Sequence, residues 1–249
     1  MDLLKVENLS INFGGIHAVK NVSFSVTDGE RLAIIGPNGA GKTTLFNLLT
    51  GQLKPTSGRV LFKRQDITHM SVFNRTHLGI ARSFQITSLF PAQSVLTNIL
   101  IGIQGTKPYR YRFFAPITSH KQLFAQGEQL LTSMDLWEKR NERADSISYG
   151  EQRKLEIALS LASDPELLLL DEPSCGLTAT ESADIITRIR NLGSKITVVM
   201  IAHDMDLVFG VAQRILLLHY GELICEGTCD EIRENPKAKE IYMGTVNKK

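Results

Sequence analysis

The stretch Gly36-Pro37-Asn38-Gly39-Ala40-Gly41-Lys42-Thr43 fits the pattern G-x-x-x-x-G-K-[ST] at every fixed position. These residue types suit a phosphate chain. Glycines let backbone N–H groups curl toward it, and a helix starting behind the loop adds partial positive charge. Lys42 then reaches the β and γ phosphates, and the Thr43 hydroxyl, followed by Thr44, is placed to ligate Mg²⁺. A second candidate pair is Asp171-Glu172, directly after Leu167-Leu168-Leu169-Leu170. Neighbours at a strand end point different ways, which suits two roles: Asp171 toward Mg²⁺ through water, Glu172 toward polarising an attacking water.

Other polar residues sit where an apolar run stops. Gln85 closes Gly79-Ile80-Ala81-Arg82-Ser83-Phe84, and His203 closes Ile196 to Ala202. Gln85 is either a loop residue or one that reaches the metal or water beside a γ phosphate. His203 either bonds that phosphate or caps the next helix. In Ile147-Ser148-Tyr149-Gly150-Glu151-Gln152, Ser148 and Glu151 have capping-box spacing, yet a helix start carrying Ser and Gly is also an anion site. Phe13, beside Gly14-Gly15, is an aromatic for stacking on a base or for the core. Residue types alone leave each pair of alternatives open.

The elements that must position these residues are legible as patterns. Leu32 to Ile35 is a short apolar run suited to a strand buried on both faces, and the helical pattern after Thr43 stops at Gly51. Leu4 to Ile11 and Ala18 to Val26 alternate as antiparallel strands, and Arg59 to Lys63 adds another. From about 86 to 163 helical periodicity takes over, clearest at Ser94 to Leu100 and Leu123 to Trp137. Leu167 to Leu170 and Ile196 to Ala202 are further buried strands. Arg214 to His219 with Gly221 to Gly227 reads as a closing hairpin before a helical tail. The expected architecture is one α/β domain over 1–249. Its parallel-sheet core spans about 1–85 and 164–249 and carries an antiparallel β subdomain, and an α-helical subdomain is inserted at about 86–163.

At 249 residues, 43% hydrophobic and 22% charged, the composition is that of an ordinary globular protein. A net charge of +2 points to no polyanionic partner, so no nucleic acid is expected. Cys175, Cys225 and Cys229 make no disulfide framework, and a reducing cytosol is the simplest compartment. No signal peptide and no bilayer-length apolar run is evident, so any membrane role is expected to be peripheral. The basic and aromatic run Lys107 to Phe114 suits an exposed loop, and also lipid headgroups, a partner or single-stranded nucleic acid.

Taken in order, the phosphate loop, strand-end Gln, Ser-x-Gly helix start, leucine strand with Asp-Glu and strand-end His resemble the ATP-binding-cassette (ABC) ATPases from end to end. The resemblance implies a RecA-like core that binds ATP and Mg²⁺ and hydrolyses ATP. It implies that Phe13 stacks on adenine, that Gln85 senses Mg²⁺ and the permease, and that Ile147 to Gln152 is the signature motif. Asp171 becomes the magnesium aspartate, Glu172 the catalytic carboxylate and His203 the switch histidine. In such ATPases the signature of one subunit closes over the ATP of another, so Ser148 and Gly150, with Tyr149 and Glu151 around them, would face a partner's γ phosphate. The implied partners are a second cassette subunit, identical or paralogous, transmembrane permease subunits and, indirectly, an extracellular or periplasmic substrate-binding protein. The implied place is the cytoplasmic face of the membrane.

More narrowly, Phe13 to Val19, Gly79 to Gln85, His203 to Val208 and Ile241 to Gly244 resemble the importer subunits for branched-chain amino acids, with urea importers and the lipopolysaccharide-export ATPase as close relatives. Departures stand out. Tyr149 replaces the signature's usual first Gly, and Ile147 its common Leu. Thr178 stands where many relatives have Asp or Asn. Arg64 occupies a hairpin position where Gly is usual, and because a positive φ there costs about 1 kcal/mol the turn is expected to differ. Two rival classes share the loop. One is a soluble ATP switch acting on nucleic acid or the ribosome, which usually carries two such loops in one chain. The other is a small-molecule kinase, which has no need of Ser148-Tyr149-Gly150 or His203.

Overall fold

The apolar runs Leu32 to Ile35, Leu167 to Leu170 and Thr197 to Ile201 lack polar alternation because both faces of their strands are buried. In the computed structural model, which describes residues 1–83, 89–105 and 121–246, these runs are β3 (Arg31–Ile35), β7 (Leu167–Asp171) and β8 (Thr197–Ile201). With β6 (Ile80–Arg82), β9 (Arg214–His219) and β10 (Glu222–Gly227) they form a six-stranded sheet in the order β10-β9-β3-β8-β7-β6. The strands are parallel except for β10, which closes the hairpin with β9.

Alternate residues of each strand serve two separate cores. Leu168, Leu170, Val198 and Met200 pack toward the helices on one face. Leu167, Leu169, Val199 and Ile201 pack toward a second sheet on the other. That second sheet is antiparallel, in the order β2-β1-β4-β5, from β1 (Asp2–Phe13), β2 (Ile16–Thr27), β4 (Ser57–Phe62) and β5 (Gln65–Asp66). Between β6 and β7 the described residues contribute helices: α3 (Val95–Gly105), α4 (Lys121–Ser133) and α5 (Tyr149–Leu161). The expected fold class is the observed one. The basic and aromatic run at 107–114 lies outside the described residues.

The helix behind the glycine-rich loop, α1 (Lys42–Thr50), ends at Gly51 in the left-handed conformation, φ 80°, as its stop signal requires. Its last carbonyls are then taken by a residue the sequence does not advertise. Arg75, in α2 (Val72–His77), is 1% exposed and donates to the carbonyl oxygens of Leu48 (2.8 Å), Leu49 (2.6 Å), Ile67 (2.6 Å), Thr68 (2.9 Å) and Met70 (3.2 Å). Burial lowers its pKa to about 10, so the guanidinium still carries its charge at neutral pH, facing the negative end of α1. A lysine offers a single nitrogen in place of the planar fork. Arg75→Lys is therefore expected to lower the urea-unfolding free energy by about 2 kcal/mol, since several buried carbonyls lose a charge-assisted donor.

The β4–β5 turn differs from its expectation. Phe62 pairs with Gln65, and both central residues have positive φ, Lys63 at 50° and Arg64 at 67°. This is the two-residue turn whose twist matches the flanking strands, so the hairpin keeps the usual geometry with arginine in the glycine position. The conformational cost stays in the folded state instead of being relieved by a different turn. Arg64→Gly is expected to raise stability by about 0.5–1 kcal/mol, read as a higher urea midpoint at unchanged slope.

Candidate active site

The loop from Gly36 to Gly41 joins β3 to α1, and its shape is imposed from both sides. Gly36 (φ 152°) lies so close to β9 that a Cβ would stand 2.2 Å from the Leu218 carbonyl oxygen. Gly41 (φ 98°) lies as close to β2, where a Cβ would stand 2.3 Å from the Ala18 carbonyl oxygen. No other residue type fits either place without moving a strand. Ala40 is buried and its carbonyl accepts from the Gly221 amide (2.9 Å), while Pro37 is partly covered and Asn38 and Gly39 are exposed. Lys42 is 6% exposed and curls back over the loop, donating from Nζ to the carbonyls of Gly36 (2.7 Å) and Pro37 (3.0 Å). Burial lowers its pKa, opposed by the nearby carboxylates of Glu172 and Asp171, which brings all three charges into one electrostatic neighbourhood. Thr43 is exposed and Thr44 half-buried in the first turn of α1.

The two carboxylates go different ways. Asp171, the last residue of β7, is 1% exposed, and its Oδ2 accepts from Arg82 Nη2 at 2.6 Å. Its backbone amide donates to Ser83 Oγ (3.3 Å). Glu172, one step further, has left the strand with φ 48°, a conformation rare for residues with a Cβ. Its amide donates to the Ile201 carbonyl (2.9 Å), and its Oε1 lies 2.8 Å from His203 Nε2. Of the two readings of His203, helix capping falls to its neighbour. Asp204 caps α7 (Met205–Val211) by accepting from the amides of Asp206 and Leu207. That leaves the half-exposed imidazole facing Glu172. Hard oxygen donors, the Asp171 carboxylate and the Thr43 hydroxyl, flank the loop, and this set suits a cation that takes only one or two protein ligands and completes its shell from phosphate and water. Among the described residues no cluster of three or more His, Cys, Asp or Glu offers an all-protein metal cage.

Phe13 ends β1 and is 49% exposed, so it is not a core residue. The strand leaving that hairpin tip runs into Ala18, whose carbonyl abuts Gly41. Gln85 lies outside the described residues. β6, the strand leading toward it, carries Arg82, which bonds Asn47 Oδ1 (2.6 Å) and Gln52 Oε1 (3.0 Å) as well as Asp171.

Ser148 caps α5 with the full capping box: its Oγ accepts from the Glu151 amide (3.3 Å), and its own amide donates to Glu151 Oε2 (2.9 Å). Glu151 also pairs with Lys139 at 2.6 Å, and Gly150 is buried in the first turn. Tyr149 is 54% exposed, and its hydroxyl donates to the Cys175 carbonyl (3.3 Å). Ser148, Gly150 and Glu151 line a small cleft with Glu181, Asp184 and Ile185 of α6 (Ala179–Arg190). They are thus grouped apart from Lys42, Asp171, Glu172 and His203, which gather at the C-terminal ends of the parallel strands. Thr178, another of the departures, has a plain local use. It caps α6 in a second capping box with Glu181.

Comparison with known proteins identifies the family. The family model described as ABC transporter matches residues 19–175. The chain is similar to the high-affinity branched-chain amino acid transport ATP-binding protein LivG of Escherichia coli (strain K12), 37% identical over 252 residues that cover 97% of this chain and 98% of the relative. Among solved structures it is similar to the ADP conformation of an ATP-binding cassette of an ABC transporter, with a TM-score of 0.87 and 33% identity over 98% of this chain and 99% of the other. It is also similar to a dimeric cassette in a post-hydrolysis state bound to ADP and Pi, with a TM-score of 0.75 and 26% identity over 90% of this chain and 98% of that one. With its motifs in order along the chain and its carboxylates at the mouth of the phosphate loop, the chain belongs to the ABC transporter family as an ATP-binding subunit that hydrolyses ATP to energise transport.

Proposed function

We propose that this chain powers the import of branched-chain or similar hydrophobic amino acids, bound at the cytoplasmic face of the membrane to permease subunits and paired with a second cassette. Among the described residues no helix is long and apolar enough to cross a membrane, which fits a peripheral subunit. The observation that carries the substrate class is likeness to LivG over nearly the whole of both chains. Substrate would be chosen by a separate binding protein and the permease.

In this reading the loop residues 36–44 hold the phosphates of ATP, and Phe13 stacks on its base. Thr43, Asp171 and Gln85 would hold Mg²⁺, which supplies charge neutralisation on the phosphates. Glu172 takes the proton of the attacking water, and His203, 2.8 Å from it, holds that carboxylate in place before the γ phosphate arrives. Ser148 and Gly150, with Tyr149 and Glu151, serve a partner's ATP. Likeness to a dimeric cassette bound to ADP and Pi supports a site completed by two subunits. Hydrolysis then releases closure, because removing the γ phosphate removes what both halves grip.

The test is uptake in cells lacking this gene. Loss of labelled leucine, isoleucine and valine uptake, restored by the intact gene and not by Lys42→Ala, is the expected result. Normal uptake of all three with loss of urea uptake would move the substrate elsewhere and leave the ATPase assignment intact. Purification in mild detergent is expected to recover permease subunits, whereas nucleic acid or ribosomal partners alone would overturn the transport reading.

A further inference from the structure

Arg153 lies in the second turn of α5, the helix headed by Ser148, about 7.5 Å along the axis from that cap at 1.5 Å per residue. It is 5% exposed, and its guanidinium faces the end of β7 instead of solvent. Nη2 donates to the carbonyls of Asp171 (2.8 Å) and Glu172 (2.7 Å), and Nε donates to that of Pro173 (3.1 Å). Nη1 pairs with the buried carboxylate of Glu156 one turn on, at 2.7 Å. Burial pushes the Glu156 carboxyl up while Arg153 pulls it down, so the pair is best kept together.

Successive carbonyls of a strand point to opposite sides, so three in a row cannot meet one guanidinium in a regular extended chain. The break is Glu172, whose left-handed backbone turns the chain just there. A conformation this unfavourable persists only when its surroundings over-determine it. Here the fork of Arg153 on one side and the Ile201 carbonyl on the other supply that determination. The next residues are held from the same helix, since Tyr149 donates to Cys175. The Glu172 carboxylate stands on this backbone, and a displacement of about 1 Å at a reacting group can cost 10²-fold in rate.

We propose that Arg153 is a positioning residue for hydrolysis: by gripping three consecutive carbonyls at the end of β7 it fixes the turn that aims Glu172. The inference rests on the reading of Glu172 as the catalytic carboxylate.

The test uses the full-length protein, with rates expressed per nucleotide-binding site so that any unfolded fraction drops out. Arg153→Lys keeps the charge opposite Glu156 and offers only one nitrogen to the carbonyls. It is expected to lower kcat by about 10- to 100-fold while the Kd for a fluorescent ATP analogue stays within about twofold. Glu156→Gln, which leaves the carbonyl grip intact, is expected to keep kcat within about threefold, and Arg153→Gln to fall at least as far as the lysine variant. Wild-type kcat in Arg153→Lys, or nucleotide affinity lost in proportion to rate, overturns the proposal. Glu172→Gln measured in parallel separates the two claims: if that variant hydrolyses at full rate the reading of Glu172 fails, and if it is inactive while Arg153→Lys is not, only the positioning role fails.

Discussion

Glu172→Gln is expected to lower ATP turnover by about 10²- to 10³-fold, or roughly 3–4 kcal/mol of transition-state stabilisation, and to leave ATP affinity within a few-fold of wild type. The amide is nearly the shape of the carboxylate and still offers an oxygen to His203, which now stands 2.8 Å from Oε1. What it lacks is the capacity to take a proton. On the proposed reading nucleotide affinity rests on the loop and Lys42, whose Nζ donates to the Gly36 and Pro37 carbonyls and would find stronger acceptors in a phosphate. The steady-state rate and the Kd for ATP check this together. Full-rate hydrolysis would remove Glu172 from the chemistry, and a parallel loss of ATP binding would make it a structural partner of the loop.

The sequence discloses Glu172 and His203 because each candidate sits at the end of an apolar run, and buried parallel strands leave few other places for polar side chains to emerge. It discloses less about their neighbours. Arg153 stands in Glu151-Gln152-Arg153-Lys154, a charge run that reads as a solvated helix face, and only tertiary packing shows that it points inward. Arg82 and Arg75 are hidden for the same reason. Arg75 bonds backbone carbonyls, which leave no trace in side-chain identity, and the side-chain oxygens that Arg82 meets come from distant segments. A charged residue breaking the apolar stretch Gly79 to Phe84 is the one available signal for Arg82. Capping works the other way. The spacing of Ser148 and Glu151 is local, so the box forms as read, and it coexists with an exposed serine at the helix start. At the Arg64 turn conformational cost alone does not decide the geometry. Hairpin twist outweighs about 1 kcal/mol of left-handed strain, because splaying two strands would give up more.

The second large effect falls on Asp171, where stability and chemistry are joined through Arg82. The carboxylate is 1% exposed and the guanidinium 8%, so each is the other's main compensation for leaving water. Removing one partner of a buried pair costs about 3–5 kcal/mol, since the remaining charge stays desolvated. Arg82 keeps neutral acceptors on Asn47 and Gln52, which places Asp171→Ala near the lower end, about 3 kcal/mol. This loss is expected in urea unfolding without nucleotide or metal, and that condition separates it from any loss of Mg²⁺. Asp171→Asn retains an oxygen for Arg82 and is expected to recover about half of the stability while remaining inactive. If both variants unfold like wild type, the pair contributes nothing to the fold. If Asp171→Asn instead turns over ATP normally with Mg²⁺, Asp171 is a structural anion and the metal is held elsewhere. Arg82 thus links α1, through Asn47, and the carboxylate at the end of β7 to β6, so the charge that offsets the buried Asp171 is itself anchored behind the phosphate loop.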